Sequence, residues 1–347
     1  DLFKPDIFSQ TIPKWIKATS YLEGELEPII SKMFNAYDLK KVNIEFSGSM
    51  EINSSNFRVS FSEKKYIIKK WPTNQTHKSI LNLNKTVLFL ENNQISVPKI
   101  TPFFKNEMIL KTNNHLWTCS EFIDGEYFYG KNNQLKYAAI LTANTTNKLF
   151  LLPKDISPKR KIKIDLNEML QLINKTEFSS SSWEKTFGIE LSSLLNSNIS
   201  KLKYLCKDFK LKEINCGQVF PNHYDIHPHN ILFDNNDSPH LLDFESIVEI
   251  STGNSIAYSA LKQCRQLISL NQNKSPSEVS RHYIDLLIAN LKIGKLDWID
   301  NFKELAQMET VRRISIVLKL NIEGNYSWNK VLPLLFSNIY EAEELFN

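Results

Sequence analysis

One short segment of the chain contains the residue types that phosphoryl transfer from a nucleotide requires. It runs H-Y-D-I-H-P-H-N over residues 223–230, and D-F-E follows at residues 243–245. Such a transfer to an alcohol needs a carboxylate that aligns and deprotonates the attacking hydroxyl, and oxygen ligands that hold Mg²⁺ on the phosphates. Asp225 can supply the carboxylate, and Asn230 and Asp243 can supply the oxygen ligands.

The residues between Asn230 and Asp243 predict how these side chains come together. Two apolar runs, at 231–233 and 240–242, flank the turn-forming sequence D-N-N-D-S-P, a pattern typical of a β-hairpin. A hairpin of this length places Asn230 and Asp243 side by side at its open end, next to the loop that carries Asp225. The spacing therefore predicts that the three side chains share one site.

The combined motif resembles that of the aminoglycoside phosphotransferase / choline kinase family, the small-molecule branch of the protein-kinase-like fold. The family pattern runs approximately H-G-D-x-H-P-x-N, then an apolar strand, then D-F/W-E. The chain departs from it at Tyr224, where the family prefers Gly. It matches the pattern at His223, Asp225, His227, Pro228, Asn230, Leu232, Asp243, Phe244 and Glu245.

The resemblance implies an α+β, bilobal protein-kinase-like fold with a β-rich N-lobe and a mainly helical C-lobe. We expect the nucleotide-binding lobe and hinge at residues 1–124, and the lobe with the catalytic loop and substrate pocket at residues 125–347. Apolar periodicity agrees with this division. It predicts strands at 42–46, 56–61 and 65–70, and helices at 22–37, 80–90, 135–152, 169–173, 189–209, 256–270, 278–291 and 306–320.

The resemblance also implies where the phosphates of ATP or GTP bind. The family places a small-residue loop after the first strand of the sheet, and Ser47, Gly48 and Ser49 occupy that position. Their backbone N–H groups would approach the phosphates. Lys69, in the strand Y-I-I-K, corresponds to the basic residue that pairs with the α- and β-phosphates. An ordinary hairpin turn and a solvated lysine at a strand end are the alternatives.

The nucleotide base has a predicted site in the segment E-F-I-D-G. This segment resembles the family's hinge between the lobes, where backbone N–H and C=O groups bind the adenine edge. Glu121 and Ile123 are the residues at the binding positions. A plain strand end is the alternative interpretation.

The partner of the predicted phosphate-binding lysine is not evident. Kinases commonly place a Glu in the helix after the lysine strand, and this Glu pairs with the lysine. The helix predicted at residues 80–90 contains no acid. A polar residue of that helix, or an acid from elsewhere in the chain, is therefore needed to orient Lys69.

Composition agrees with a globular enzyme of about two domains. The 347 residues are 42% hydrophobic and 23% charged, which is ordinary for a globular chain. The net charge of +4 is too small to indicate nucleic-acid binding, and no apolar run approaches the roughly 18 residues that span a bilayer. The four cysteines show no C-x-x-C spacing, so we expect reduced thiols and a cytoplasmic protein. The oligomeric state stays open.

The region after D-F-E favours a small-molecule hydroxyl acceptor. A protein kinase has Gly after the Asp-Phe pair and an activation segment closed by A-P-E. Here Glu245 follows the pair, no A-P-E occurs, and only residues 246–255 precede the next predicted helix. An aminoglycoside, choline, homoserine or a sugar are all possible acceptors. A catalytically inactive kinase-like binding protein and an atypical protein kinase are the alternatives.

Other residues are candidates for the wall of an acceptor pocket or for its support. His223 and His227 flank Asp225, and the resemblance implies that they brace the catalytic loop. A cationic acceptor needs acids in its pocket, although a solvated surface is the simpler interpretation of such acids, and tryptophans are more often core than pocket. The acids are Asp297, Asp300, Glu309, Glu341, Glu343 and Glu344, and the tryptophans are Trp183, Trp298 and Trp328.

Overall fold

A computed structural model describes the chain at residues 2–5, 12–18, 20–34, 42–48, 55–112, 114–178, 188–271, 273–294 and 296–347. Two of the predicted residues, Ser49 of the phosphate loop and Trp183, lie outside these ranges. No helix within them is both long enough and apolar enough to cross a lipid bilayer.

Six antiparallel strands form the sheet of the first lobe. They are β1 (Ile16–Lys17), β2 (Val42–Gly48), β3 (Ser55–Phe61), β4 (Lys64–Lys70), β5 (Leu110–Thr112) and β6 (His115–Glu121). Their order across the sheet is β1-β2-β3-β4-β6-β5. Strands β3 and β4 each begin one residue before the predicted start.

Two helices accompany this sheet. In α1 (Ser20–Phe34), Leu26 and Ile30 are one helical turn apart and are fully buried in one cluster with Phe57 and Ile68 of the strands. Burying an aliphatic side chain of this size stabilises the fold by about 1.5–3 kcal/mol. Helix α2 (His77–Asn92) follows β4 and begins at the N-cap Thr76.

Seven helices are described in the second lobe. They are α3 (Asn132–Phe150), α4 (Leu166–Phe178), α5 (Ile189–Lys212), α6 (Thr252–Leu270), α7 (Pro276–Asn290), α8 (Phe302–Ile322) and α9 (Leu332–Phe346). Helix α6 is buried along almost its whole length and packs against α3, α7, α8 and α9. Its buried polar residues also bind neighbouring elements: Gln263 donates a hydrogen bond to the carbonyl of Ile226, and Arg265 donates one to Glu341 of α9. Helix α6 therefore links the elements around it.

Two small sheets carry the motif segments. Strands β7 (Gly125–Tyr127), β9 (Ile231–Asp234) and β10 (Pro239–Leu241) form one of them, and β8 (Val219–His223) pairs with β11 (Ile247–Ser251) in the other. At Gly125, an added Cβ would lie 2.3 Å from the carbonyl oxygen of Phe233, so only glycine permits this approach of β7 to β9.

The predicted α+β, bilobal architecture is confirmed. The predicted hairpin is present as β9 and β10, with Leu241 opposite Ile231. The sequence did not predict the strands β1, β7 and β11 or the helix α9. Strand β11 was overlooked because it lies within the short segment that we interpreted as a simple connection to α6.

Candidate active site

The segment that carries Asp225 is fixed by contacts with the strand and loop beside it. His223, at the end of β8, is 2% exposed, and its Nε2 lies 2.9 Å from the carbonyl oxygen of Leu242. The Tyr224 N–H donates to the carbonyl of Ser246 at 3.0 Å. These two bonds cross from the Asp225 segment to either side of Asp243, so the two acidic residues are held by the same framework.

Asn230 and Asp243 are neighbours at the open end of the hairpin. The Leu242 N–H donates to the carbonyl of Asn230 at 2.9 Å, which brings the two chain ends together. The Asn230 side-chain amide donates to the backbone carbonyl of Asp225 at 2.9 Å. The Asp243 carboxylate accepts a hydrogen bond from the Ser246 hydroxyl at 2.7 Å. The structure thus brings all three predicted residues into one site.

The oxygen atoms of this site suit Mg²⁺ bound together with a nucleotide. The bond from Asn230 to Asp225 uses the Nδ2 of the amide, and the bond from Ser246 reaches only Oδ2 of Asp243. Oδ1 of each residue takes part in neither bond. No group of three or more His, Cys, Asp or Glu residues suited to a metal occurs in the described ranges. Mg²⁺ commonly takes one or two protein oxygens and completes its shell with phosphates and water.

Asp225 forms an ion pair with an arginine that the sequence analysis did not single out. Its Oδ1 lies 3.0 Å from Nη1 of Arg313, on α8, and both side chains are about one-fifth exposed, at 20% and 19%. Burial alone would raise the pKa of Asp225, but Arg313, His227 and His223 together outweigh burial and lower the pKa to about 2, with Arg313 the largest of the three. The carboxylate is therefore ionised at any ordinary pH.

Arg313 also binds the loop and a second acid. Its Nη2 donates to the carbonyl of Tyr224 at 3.1 Å, and its Nε donates to Glu309 at 2.9 Å. The guanidinium lies 4.0 Å from the ring centroid of Tyr258. The three nitrogens of this planar group are thus engaged by three partners, a geometry that the point charge of lysine cannot reproduce.

His227 supports Asp225 from the other side. Its Nδ1 accepts a hydrogen bond from the His229 N–H at 3.1 Å, so the neutral ring carries its proton on Nε2. This Nε2 lies 3.5 Å from Oδ2 of Asp225. Burial lowers the pKa of His227 to about 4, even though Asp225 opposes this effect. The ring is therefore neutral near pH 7, and its contacts agree with the predicted bracing role.

Lys69, in β4, forms an ion pair with Glu245 of the D-F-E segment. Its Nζ also lies 4.5 Å from the ring centroid of Trp71. The next residue, Lys70, points to the other face of the sheet, where it pairs with Glu25 of α1. Strand alternation thus directs only Lys69 to the site, as predicted, and its acidic partner comes from the motif itself.

The hinge segment is held in place by neighbouring backbone. The Glu121 N–H donates to the carbonyl of Lys99 at 2.8 Å, and the Phe122 N–H donates to the carbonyl of Lys65 at 3.1 Å. The carbonyl of Glu121 and the N–H of Ile123 take part in neither bond. These two groups belong to the residues that the resemblance implies for binding the adenine edge.

The predicted phosphate loop needs a correction. Ser47 and Gly48 are the last residues of β2, because the ladder continues through the pairs Ser47–Asn56 and Gly48–Ser55. They are therefore strand residues and not loop residues. Ser49 lies outside the described residues.

A cleft of about 930 Å³ joins these parts. Both lobes contribute to its wall, since strands β4 and β6 line one side and α6, α8 and α9 line the other. The predicted site residues in its lining are Lys69, Glu121, Ile123, Asp225, Asn230 and Asp243.

Comparison with known proteins identifies the fold. The sequence matches no protein-family model and no curated protein. The structure is similar to amicoumacin kinase in complex with AMP-PNP, Ca²⁺ and Ami (TM-score 0.63, 12% identity, 92% of this chain and 93% of that one). It is also similar to spectinomycin phosphotransferase in complex with ADP and spectinomycin (0.61, 14%, 88% and 92%). A third match is choline kinase from Streptococcus pneumoniae (0.54, 12%, 92% and 100%). The chain has the protein-kinase-like fold of small-molecule kinases.

In this kinase-like fold, the acids proposed for a cationic acceptor do not line the cleft. Glu309 and Glu341 are fully buried, at 0% exposure, and their carboxylates pair with arginines. The interpretation of the run from Glu341 to Glu344 as a solvated face is therefore wrong for Glu341, whereas Glu344 is exposed. The partner of Glu341 is Arg265 of α6, at 2.8 Å, which binds α9 to the core.

The tryptophans divide between core and cleft. Trp298 is 1% exposed and stacks on Phe302 at a centroid distance of 5.9 Å, so it is a core residue. Trp328 lines the kinase-like cleft next to α8 and α9. Sequence periodicity could not separate these two roles, because both tryptophans precede helices and neither belongs to a motif.

Proposed function

We propose that the chain is a nucleotide- and Mg²⁺-dependent kinase that transfers the γ-phosphoryl group to a hydroxyl of a small molecule. The observation that carries this proposal is the convergence of Asp225, Asn230 and Asp243 at one point of a cleft that Lys69 also lines. A structural turn needs no such set of oxygens, whereas phosphoryl transfer needs all of them.

The nucleotide would lie in the cleft between the lobes. In this proposal the backbone of Glu121 and Ile123 binds the base of ATP or GTP, and Lys69 binds the α- and β-phosphates. Ser47, Gly48 and Ser49 would contribute through the end of β2 and the residues after it. The support for this arrangement is the position of the hinge residues and Lys69 in one cleft wall.

Asn230 and Asp243 would hold the metal. A Mg²⁺ ion bound there would neutralise the negative charge of the phosphates and orient the γ-phosphoryl group. The Asn230 amide also fixes the Asp225 backbone, so these residues keep the metal site and the catalytic loop in register.

Asp225 would align the acceptor hydroxyl. A carboxylate with a pKa of about 2 is a weak base, so it accepts the proton only once the new bond to phosphorus is forming. Arg313 and His227 keep it ionised and oriented. Most of the rate enhancement then comes from positioning and from stabilisation of charge.

The organisation of the chain follows from the same proposal. Residues 1–124 would form the nucleotide-binding lobe with the hinge, and residues 125–347 would form the lobe with the catalytic loop and the acceptor pocket. A cytoplasmic location belongs to the proposal, because ATP and GTP are abundant there.

Nucleotide consumption tests this function. The purified chain is incubated with ATP or GTP and Mg²⁺ against aminoglycosides, amino alcohols, hydroxy acids and sugars, and ADP or GDP formation is followed. Acceptor-dependent consumption that is lost in Asp225→Asn is the expected result. Nucleotide binding without consumption across the panel would favour an inactive binding protein. Phosphate on added proteins or on the chain itself would favour a protein kinase.

A further inference from the structure

We propose that the acceptor alcohol carries an anionic group, a carboxylate or a phosphate, together with an apolar portion. This inference rests on the proposed kinase function and names the substrate class of the same cleft. It is carried by a group of arginines around Tyr224, by the distribution of acids in the cleft, and by the apolar wall beside them.

Three guanidinium groups surround the ring of Tyr224. The Cζ atoms of Arg160, Arg312 and Arg313 lie 5.8, 5.9 and 5.2 Å from its centroid, within the reach of cation–π attraction. Tyr224 stands where the resembling family prefers Gly, and it lines the cleft next to Asp225. The aromatic ring thus holds together positive charges that would otherwise repel one another.

The carboxylates of the protein pair with only part of the positive charge of these three arginines. Glu309 accepts bonds from Arg312 at 2.7 and 2.6 Å and also from Arg313 at 2.9 Å, so one carboxylate serves two arginines. Arg313 has Asp225 as its second acid. Arg312 uses Nε and Nη2 for Glu309, and Nη1 lies on the opposite edge of its guanidinium. That edge can donate to a ligand.

Arg160 reaches the cleft from a firmly held piece of backbone. Its carbonyl accepts a hydrogen bond from the Glu249 N–H at 3.0 Å, and the Ile162 N–H donates to the Glu249 carbonyl at 2.8 Å. The side chain is exposed and lines the cleft. An arginine whose backbone is held in this way presents a planar set of hydrogen-bond donors that suits carboxylate and phosphate oxygens.

The helices that line the cleft add no acid to oppose an anion. Among the described lining residues, the carboxylates are Glu121, Asp225, Asp243 and Glu245, which belong to the hinge, the catalytic loop and the D-F-E segment. Helix α6 contributes Lys262 to the lining instead. A polycationic acceptor would therefore meet like charges, whereas an anion would meet opposite ones.

An apolar wall continues from the arginines. Helix α8 supplies it one turn beyond Arg312, and the residues before and within α9 complete it. A fully charged acceptor without hydrocarbon would leave this wall in water, so an apolar portion fits it better. The wall residues are Ile316, Val317, Leu320, Trp328, Val331 and Leu335.

A series of three matched alcohols tests the inference without relying on turnover. The compounds are 3-hydroxy-2-phenylpropanoate, its amide, and 3-amino-2-phenylpropan-1-ol, which share one hydroxyl and one phenyl ring and differ in charge. Their dissociation constants are measured by calorimetry on the full chain with ADP and Mg²⁺. We expect the carboxylate to bind about 10-fold more tightly than the amide, as one charge-assisted hydrogen bond implies, and the amine to bind most weakly. A fourth compound, 3-hydroxy-2-phenylpropyl phosphate, distinguishes the two anions.

A pair of variants tests the location. Arg160→Gln should weaken binding of the carboxylate by about 10-fold and leave the amide unchanged. Arg281→Gln, which removes an exposed arginine of α7 outside the cleft, is the matched control and should change neither. The nucleotide dissociation constant should be the same in both variants.

The possible outcomes distinguish a failure of this inference from a failure of the proposed kinase function on which it rests. Equal binding of the three compounds, including undetectable binding of all three, overturns the inference, as does tighter binding of the amine. Loss of nucleotide affinity in Arg160→Gln would assign the arginines to the phosphates of the nucleotide and also overturn it. The kinase proposal fails on a different result, namely the absence of nucleotide consumption with every acceptor of the broad panel.

Discussion

Lys69 and Glu245 form an ion pair across the cleft, and this pair joins strand β4 of the first lobe to the D-F-E segment of the second. Their side chains are 20% and 22% exposed. Kinases commonly pair this lysine with a glutamate of the following helix. The only acidic residue of the described α2 is Glu91, which lies in its last turn. The acid at the third position of D-F-E thus provides the partner that the helix does not.

Substitution of Glu245 tests whether this pair orients the lysine for the nucleotide. We expect Glu245→Gln to raise the KM for the nucleotide about 10-fold, because a charged hydrogen bond to Lys69 is replaced by a neutral one. Steady-state kinetics at saturating acceptor measures this change. Glu63→Gln, on the exposed turn between β3 and β4, is the control. An unchanged KM in both variants would show that the pair has no role in nucleotide binding.

The site residues that are close together in the sequence could be predicted, because a hairpin places the residues at its two ends side by side. Asn230 and Asp243 are 13 residues apart in the chain and meet through the Leu242–Asn230 bond. The orientation of Lys69 toward the cleft could also be predicted, because side chains alternate along a strand and only one of two adjacent lysines can face the cleft.

The contributions of distant helices could not be predicted. Arg313 lies in α8, 88 residues after Asp225, and nothing in its local sequence distinguishes it from other basic residues on a helix. Its position depends on how α8 packs against α6, which is a tertiary property. Glu341 was misjudged for the same reason, because a helix carrying several acids resembles a solvated face until its partner, Arg265, is known.

Arg313 should control both the position and the ionisation of Asp225. In Arg313→Lys, one ammonium replaces three directed contacts, so we expect kcat to fall about 10²-fold through misplacement of the carboxylate. The nucleotide KM should stay within about twofold of the parent value, because the contacts of Arg313 are with Asp225, Glu309, Tyr224 and Tyr258, and none of the described nucleotide-binding candidates is among them.

A pH profile distinguishes this role of Arg313 from a purely structural one. Because the positive charge of Arg313 lowers the pKa of Asp225, the neutral variant Arg313→Gln should raise that pKa and move the acidic limb of kcat to higher pH. The parent enzyme should show no limb from Asp225 above about pH 3, since its pKa is about 2. A loss of kcat with an unmoved profile would contradict control of ionisation.

Asp225 itself should be required for turnover but not for folding. We expect Asp225→Asn to lower kcat by about 10²–10⁴-fold, the usual size for a group that takes part in proton transfer. Nucleotide binding measured by calorimetry should persist, which shows that the fold is intact. Near-normal turnover in this variant would refute the proposed catalytic role.

The metal requirement should depend on Asp243. Removal of divalent cations with EDTA should abolish nucleotide consumption, and Mg²⁺ should restore it. In Asp243→Asn, the Mg²⁺ concentration for half-maximal rate should rise about 10-fold or more, because a neutral oxygen replaces a charged ligand. Ser246→Ala serves as the control, because this variant removes the hydroxyl that donates to the Asp243 carboxylate but leaves the negative charge of Asp243 in place. Equal Mg²⁺ dependence in Asp243→Asn and the parent would exclude Asp243 as a ligand.

His227 should make the fold less stable as the pH falls. Its pKa of about 4 lies below the ordinary value of 6.5, so between these values the unfolded chain binds more protons than the folded one. The free energy of unfolding should therefore decrease from about pH 6.5 to about pH 4, by up to about 3 kcal/mol for this group. Asp225 adds little in this window, because the stability that its lowered pKa provides is lost mainly below its ordinary pKa of 3.8.

The test of this pH dependence is urea unfolding of the metal-free protein at pH 7 and pH 4.5. In His227→Gln, the decrease in the free energy of unfolding between the two pH values should be smaller than in the parent by about 2–3 kcal/mol, because glutamine binds no proton in this range. The same comparison for His282→Gln, an exposed residue of α7, should match the parent. If His227→Gln retained the full decrease, the buried neutral imidazole would not be the source of the acid sensitivity.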